Sequence, residues 1–201
     1  MDCEAERASF FDERAEEWES KCYPDAVRKR LWPMVERFCL PVSGHVLDMG
    51  TGPGTLIPYL HRATGPGGRI TAFDASPKMV EVARRKCGDG STTVVCASAM
   101  DMPFVSESFD AVVCFAAFPH FTDKALALRE MARVAKSGAV IIIAHLLGRA
   151  QLAAHHGTHH AVANDHLPDD DSLRGLFLDA GLPAPVITSH EDYFEVRGNK
   201  L

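Results

Sequence analysis

A chain of 201 residues, 46% of them hydrophobic, can bury one substantial core and is too short for two full-sized domains. The formal net charge of -6, with no block of Lys or Arg on any segment, removes the basic footprint a polyanion needs, so nucleic acid is not an expected partner. No stretch reaches the roughly 18 to 20 apolar residues of a membrane span, and the acidic start, Met1 to Arg14, lacks a secretory apolar region, which points to a cytoplasmic protein.

The first predicted element is Glu6 to Ser20, rich in Glu and Arg but carrying Phe10, Phe11, Ala15 and Trp18 near helical spacing. Residues 1–40 then form a helical attachment, either covering one edge of the domain or closing over a ligand mouth. From residue 41 onward short apolar, partly β-branched runs alternate with helical stripes. The runs His45 to Met49, Arg69 to Phe73, Thr92 to Cys96, Phe109 to Phe115 and Ala139 to His145 read as buried strands. Leu56 to His61, Pro77 to Cys87 and Lys124 to Ala135 read as crossover helices between them. Leu173 to Ala180 reads as a helix closed by Gly181, followed by two extended pieces, Ala184 to Thr188 and Asp192 to Arg197, that pair like a hairpin. Strands alternating with helices imply parallel βαβ units, hence an α/β fold with a mostly parallel sheet covered on both faces. The six cysteines, at positions 3, 22, 39, 87, 96 and 114, form no C-x-x-C pair and read as reduced thiols, with Cys96 and Cys114 as small core hydrophobes.

Ligands in such sheets bind at the carboxyl ends of the strands. There Val46-Leu47-Asp48-Met49 runs straight into Gly50-Thr51-Gly52-Pro53-Gly54 and then a helix, so a ligand can lie against bare backbone. A dinucleotide fingerprint would place its third glycine at Thr55; the glycines fall instead at Gly50, Gly52 and Gly54, which argues against a nicotinamide-dependent oxidoreductase. The second strand ends at Asp74, about twenty residues on, where a carboxylate can accept from both ribose hydroxyls of an adenosine; Asp74 followed by Ser76-Pro77 can also simply open the next helix.

Together these residues make the chain resemble the class I S-adenosylmethionine-dependent methyltransferases, in the small-molecule branch that includes the ubiquinone and menaquinone methyltransferases. Asp48, Gly50, Gly52 and Gly54 are similar to that family's first motif, Asp74 to its acidic ribose position, and Ala97 to Phe104 to its adenine loop, with Ser98 where an aspartate is common. Phe109 to Val113 resembles the fourth strand, and Lys136-Ser137-Gly138-Ala139 the turn before the fifth. The resemblance implies a Rossmann-like, mostly parallel seven-stranded sheet with an antiparallel last strand. It also implies a cofactor site of Asp48, Gly50, Gly52, Gly54, Asp74, Ala75, Met79, Ala99, Met100 and Phe115, and direct methyl transfer from S-adenosylmethionine to a small acceptor, leaving S-adenosylhomocysteine.

A sulfonium leaving group is already activated, so positioning supplies much of the rate and a base is needed only for a hydroxyl or protonated amine. His120, just past the fourth strand, and His145, at the end of the fifth, are the candidate bases. His155, His156, His159 and His160 crowd the link after the fifth strand and are candidate acceptor-site residues. In a helix, His155 would share a face with His159 and His156 with His160, a spacing that can chelate a transition metal, but Gly157 argues against a regular helix there. A solvated loop, an acceptor pocket and a metal site all remain open for this stretch. Asp169 to Asp171 read as helix caps. The enzyme reading competes with a non-catalytic module that binds an adenosyl ligand, or a metal, as a signal.

Overall fold

The computed structural model describes residues 3–87, 90–157 and 160–201. Three helices precede the sheet: α1 (Cys3–Asp12), α2 (Ala15–Cys22) and α3 (Asp25–Arg37). There follow β1 (His45–Met49), α4 (Ile57–Thr64), β2 (Arg69–Asp74), α5 (Pro77–Lys86), β3 (Thr92–Cys96), β4 (Phe109–Phe115), α6 (Lys124–Val134), β5 (Ala135–His145), α7 (Arg149–His156), α8 (Asp170–Asp179), β6 (Val186–His190) and β7 (Tyr193–Asn199). Short 3-10 turns lie at Phe118–His120 and His160–Val162.

The strands form one sheet in the order β3-β2-β1-β4-β5-β7-β6. Strands β1 to β5 pair in parallel, and β7 runs antiparallel to both β5 and β6. This is the Rossmann-like arrangement expected from the alternating pattern. Side chains alternate across it as the pleat requires. Val46, Ala111, Val113, Ile142 and Ala144 face α3, α4 and α5, where Leu31, Val35, Leu60 and Ala83 meet them. Leu47, Met49, Val112, Ile141 and Ile143 face α6 and α8, against Leu128, Met131 and Phe177. Each fully buried side chain of this size contributes about 1.5–3 kcal/mol of transfer free energy, so both layers are needed to fix the register.

Local sequence explains where the helices begin. Ser76, Asp123 and Asp169 are N-caps, their side-chain oxygens accepting from the amides of Met79, Leu126 and Ser172, and Pro77 pre-sets the first turn of α5. Gly181, at φ +75°, closes α8 as expected, its N–H bonding back to the carbonyl of Leu178.

Three expectations are corrected. Glu6 to Ser20 is not one helix: the chain breaks at Glu13–Arg14, where the Arg14 guanidinium donates to the Phe10 carbonyl and stacks on the Phe10 ring. Helix α3 was not expected, although Val27, Leu31, Met34 and Phe38 carry a helical stripe; Pro33, inside the helix, disguises it. Its residues Leu31, Val35 and Phe38 are fully buried, so α3 belongs to the sheet's own core rather than to a separable attachment. Finally, β5 begins at Ala135, not Ala139: the partner of Phe109 is Ala135 while that of Ala111 is Val140, and Gly138 at φ +83° absorbs the irregularity.

Candidate active site

The sheet order reverses between β1 and β4, and a cleft opens there, at the carboxyl ends of β1, β2 and β4, as the switch-point rule requires. Its floor is the loop after β1. Gly50 sits at φ +68°, and a Cβ there would stand 2.4 Å from Ala117 Cβ, so the loop can approach the turn after β4 only with glycine. At Gly52, φ +55°, a Cβ would meet nothing within 4 Å; the backbone is bare toward open space. Gly54 has a packing role, with Ala83 Cβ 3.3 Å from where its own would be.

Asp48 is 1% exposed and lines the cleft. Thr51 Oγ1 donates to its Oδ2 at 2.6 Å. Burial pushes its carboxyl up to about 7, the charge of Asp74 adds to this, and the Thr51 bond only partly opposes it. Asp74 ends β2 and accepts the Gly52 amide at 2.8 Å on Oδ2 and the Ser76 amide at 2.9 Å on Oδ1. Burial raises its pKa and these backbone donors oppose the rise. An ionised carboxylate offers about four acceptor positions, so two backbone bonds leave room for a hydroxyl pair.

Ala75, Met79, Ala99, Met100 and Phe115 also line the cleft. Of the ten cofactor residues expected from sequence, all but Gly54 do so. Asp101, the other acid of the adenine loop, is exposed and is not among the lining residues. That loop is held from behind by a pair the sequence did not flag. Arg133 on α6 donates to the carbonyls of Met102 and Phe104 and to Glu130, while Glu130 accepts the Met102 amide.

The rest of the lining is largely aromatic and comes mainly from the N-terminal helices: Arg7, Phe11, Trp18 and Tyr23 join His120 and Phe121. The helices are pinned to α5. Asp12 Oδ1 accepts from Ser76 Oγ and from the Lys78 amide, Glu16 pairs with Arg85 and Glu19 with Lys86, and Phe11 and Trp18 pack with Met79 and Val82. The helical spacing of Phe11 and Trp18 offered this as one of two readings, but nothing local marked Arg7 and Tyr23 as reaching the cleft.

His120 lines the cleft, with Nδ1 2.8 Å from Asp165 Oδ2. His145 is placed elsewhere. It is 2% exposed, is not among the lining residues, and its Nε2 has no hydrogen-bond partner among the described residues. Burial drives its pKa down to about 3, with small contributions from His120 and His156, which keeps it neutral. In the histidine-rich stretch α7 closes at His156, so His155 to His160 do not share one helix. His155 is exposed. His156 is buried, donates from Nδ1 to the Asp165 carbonyl at 2.6 Å, and packs on His120 with ring centroids 4.7 Å apart. Neither is among the lining residues. His159 and the His160 side chain lie outside the described residues. Among the described residues no three His, Cys, Asp or Glu side chains are grouped to hold a metal.

One buried polar atom on a lining residue has no partner inside the described protein. Thr55 Oγ1, on a residue 8% exposed and lining the cleft, has no hydrogen-bond partner among the described residues. A buried orphan hydroxyl of this kind is satisfied by a ligand or water.

Residues 47–143, which span the glycine loop, Asp74 and the adenine loop, match the family described as a methyltransferase domain. The chain is similar, at 28% identity across 82% of its length and 80% of the relative's, to the ubiquinone/menaquinone biosynthesis C-methyltransferase UbiE of Enterobacter sp. (strain 638). Residues 47–143 therefore carry a methyltransferase domain, and the chain is an S-adenosylmethionine-dependent methyltransferase. A second relative is the demethylmenaquinone methyltransferase of Thermotoga maritima, 38% identical over 51% of this chain and 43% of that one. In three dimensions the whole domain is similar to a SAM dependent methyltransferase from Aquifex aeolicus, with a TM-score of 0.73 at 20% identity over 96% of this chain and 98% of that chain. That last likeness speaks for the fold of the family, and the sequence relatives speak for its chemistry. No helix among the described residues is long and apolar enough to cross a membrane.

Proposed function

We propose that the enzyme methylates a small, hydroxylated aromatic acceptor, with His120 as the base that takes the acceptor's proton. The observation that carries this reading is that one cleft is lined both by Asp74 and by the aromatic side chains of Phe11, Trp18, Tyr23 and Phe121 together with His120. Flat aromatic walls suit a ring, and the relatives named above act, by their names, in ubiquinone and menaquinone biosynthesis.

S-adenosylmethionine supplies a methyl group on a cationic sulfur. The residues present fit it: Asp74 for the ribose hydroxyls, Ala75, Met79, Ala99 and Met100 for the adenosine, Gly50 and Gly52 for close backbone approach, Phe115 as a wall, and the Asp48 carboxyl, whose one side-chain partner among the described residues is the Thr51 hydroxyl, facing a cationic group. Gly54 serves by packing the loop on α5. Because the sulfonium is an activated leaving group, this reading assigns no step to a metal, and the histidine-rich stretch shapes the acceptor end through His156. His145, buried and neutral, acts as a core residue. Helices α1 and α2, within the expected segment 1–40, serve as the cap over the cleft, and residues 41–201 with α3 form the methyltransferase domain.

The test is calorimetric titration of S-adenosylhomocysteine into the protein and into Asp74→Ala, followed by labelled methyl transfer to 1,4-hydroquinone, catechol, an aniline and a thiol. Micromolar binding that weakens about 100-fold in the variant, with transfer favouring the hydroxylated rings, is the expected result. Equal binding by both proteins overturns the site, and transfer confined to the amine or thiol overturns the acceptor class.

A further inference from the structure

His120 takes part in a network that joins four separate parts of the chain. Asp165, in the segment between the second 3-10 turn and α8, is 3% exposed and faces His120 Nδ1 with Oδ2 at 2.8 Å. Arg7, from α1, donates Nη2 to Oδ1 at 2.6 Å and Nε to Oδ2 at 3.2 Å, so the carboxylate is held by a guanidinium fork. The Asp165 backbone carbonyl meets Nδ1 of His156 on α7. The His120 ring is boxed by His156 on one side and by Phe11, centroids 5.2 Å apart at 70°, on another. The charged and titratable groups around it are therefore Asp165, Arg7 on α1, His156 on α7, His145 on β5, Lys124 on α6 and Asp74 on β2.

We propose that Asp165 is a positioning residue for His120: by accepting from Nδ1 it keeps the proton there and leaves the lone pair on Nε2, and Arg7 fixes the carboxylate in that role from the capping helix. This rests on the reading of His120 as the base. An ionised carboxylate accepts and cannot donate, so Nδ1 must carry the hydrogen. Burial by itself would raise the Asp165 carboxyl, but the bonds and charges of His120 and Arg7 outweigh it and hold it down at about 2, so it stays an acceptor through the neutral range.

The step balances as follows. The acceptor's O–H proton passes to His120 Nε2. The electron pair released, at oxygen or at a conjugated ring carbon, forms the new bond to the methyl carbon as the carbon–sulfur bond breaks. That bond's electrons remain on sulfur, giving the thioether, and the imidazolium, stabilised by Asp165, returns its proton to solvent. Because Arg7 belongs to α1, the base is correctly oriented only when the capping helix is seated, which couples cleft closure to chemistry.

Two arms test the proposal. In the first, long-range 1H–15N spectra of His-labelled protein report which ring nitrogen of His120 is protonated. We expect the Nδ1–H tautomer in the wild type and a mixture in Asp165→Asn, whose amide can donate as well as accept; an Nε2–H tautomer in the wild type overturns the proposal whether or not any acceptor is turned over. In the second arm, kcat with catechol falls about 100-fold in Asp165→Asn, with KM and S-adenosylhomocysteine affinity within about threefold. With thiophenol, which ionises without help, the loss shrinks to a few fold. Equal losses for both acceptors would mean that Asp165 merely clamps α1. Wild-type protein that binds S-adenosylhomocysteine yet methylates no hydroxylated ring refutes the function reading instead, and the spectra still decide the tautomer.

Discussion

One buried aspartate lines the cleft and another stands behind His120, and the two carboxyls are pushed in opposite directions. Asp48 and Asp165 are 1% and 3% exposed, and desolvation opposes both charges, more heavily at Asp48, which lies deeper. At Asp48 the opposing contact is a neutral hydroxyl, and its pKa rises to about 7. At Asp165 a guanidinium and an imidazole face the carboxylate, and it falls to about 2. The difference lies in who supplies the partner. Asp165 has its cations within the protein and is set before anything binds, whereas Asp48 is a carboxyl for which, among the described residues, the protein supplies no cation. A ligand with a cationic sulfur and an ammonium group completes it.

This contrast gives the largest expected effect. Asp48 has a folded pKa above its ordinary 3.8, so between about pH 4 and 7 the native state holds a proton the unfolded state has released, and stability falls as pH rises across that window. The penalty is complete above about 7 and amounts to at most about 4 kcal/mol. Asp165 has the opposite sign: its stabilisation is present above 3.8 and is lost as pH falls toward 2. Urea unfolding across pH 3 to 8 should therefore find Asp48→Asn more stable than the wild type at pH 8 and converging with it near pH 4. Asp165→Asn should be less stable at pH 7 and converge only at the acid extreme. Parallel curves for the two variants would break the comparison.

The same division explains what the sequence could announce. The cofactor end is built largely from contiguous backbone: Asp48 to Gly54 and Asp74 to Met79 lie in order along the chain, and their glycine and acid spacing can be read directly. The proposed acceptor end gathers lining side chains from positions 7, 11, 18, 23 and 120, backed by Asp165, and no local period connects this set. His120 could be flagged because it follows a strand end. Asp165, in a segment that reads as a linker, could not be flagged without knowing that α1 brings Arg7 to it. His145 drew notice for the same strand-end reason, but its side chain turns into the core beside Phe194. The break between α1 and α2 escaped notice because Phe10, Phe11, Ala15 and Trp18 preserve an apolar spacing across it.

Next in size is a test that separates two glycines of one loop. Gly50→Ala combines a positive φ with a Cβ 2.4 Å from Ala117. The expected cost is about 3 kcal/mol of stability, seen as an early urea midpoint with an unchanged m-value. Gly52→Ala meets no atom within 4 Å, so its stability loss is limited to about 1 kcal/mol from the left-handed backbone. Its larger effect is expected in S-adenosylhomocysteine affinity, because the added methyl stands where the cofactor must approach. Equal stability losses would show that both glycines serve folding alone.

Arg133→Ala sharpens the distinction between lining the cleft and holding its wall. Removing the guanidinium strands the carbonyls of Met102 and Phe104 and leaves Glu130 with the Met102 amide. These groups are part-buried, so a loss of about 1–2 kcal/mol is expected in urea unfolding. Affinity for S-adenosylhomocysteine should fall several fold although Arg133 is not among the lining residues. Unchanged affinity would mean that the adenine loop keeps its shape without the α6 support.

The smallest expected effect concerns the cap. Asp12→Ala removes an acceptor for Ser76 Oγ and for the Lys78 amide, but Ser76 Oγ still accepts from Met79 and the Lys78 amide can turn to water, so global stability should change by about 1 kcal/mol or less. The informative readout is hydrogen exchange in α1 and α2. Their remaining ties to α5 are the exposed pairs Glu16–Arg85 and Glu19–Lys86, each worth a few tenths of a kcal/mol, and the small Phe11–Trp18–Met79 cluster. Exchange there should rise several fold while β1 and β4 stay protected. Adding S-adenosylhomocysteine should restore part of the protection, since Phe11, Trp18 and Tyr23 close over the same cleft that Asp74 and Gly52 floor. A cap that exchanges no faster in the variant is held by its apolar contacts alone, and the acceptor end is then as rigid as the cofactor end despite being assembled from distant segments.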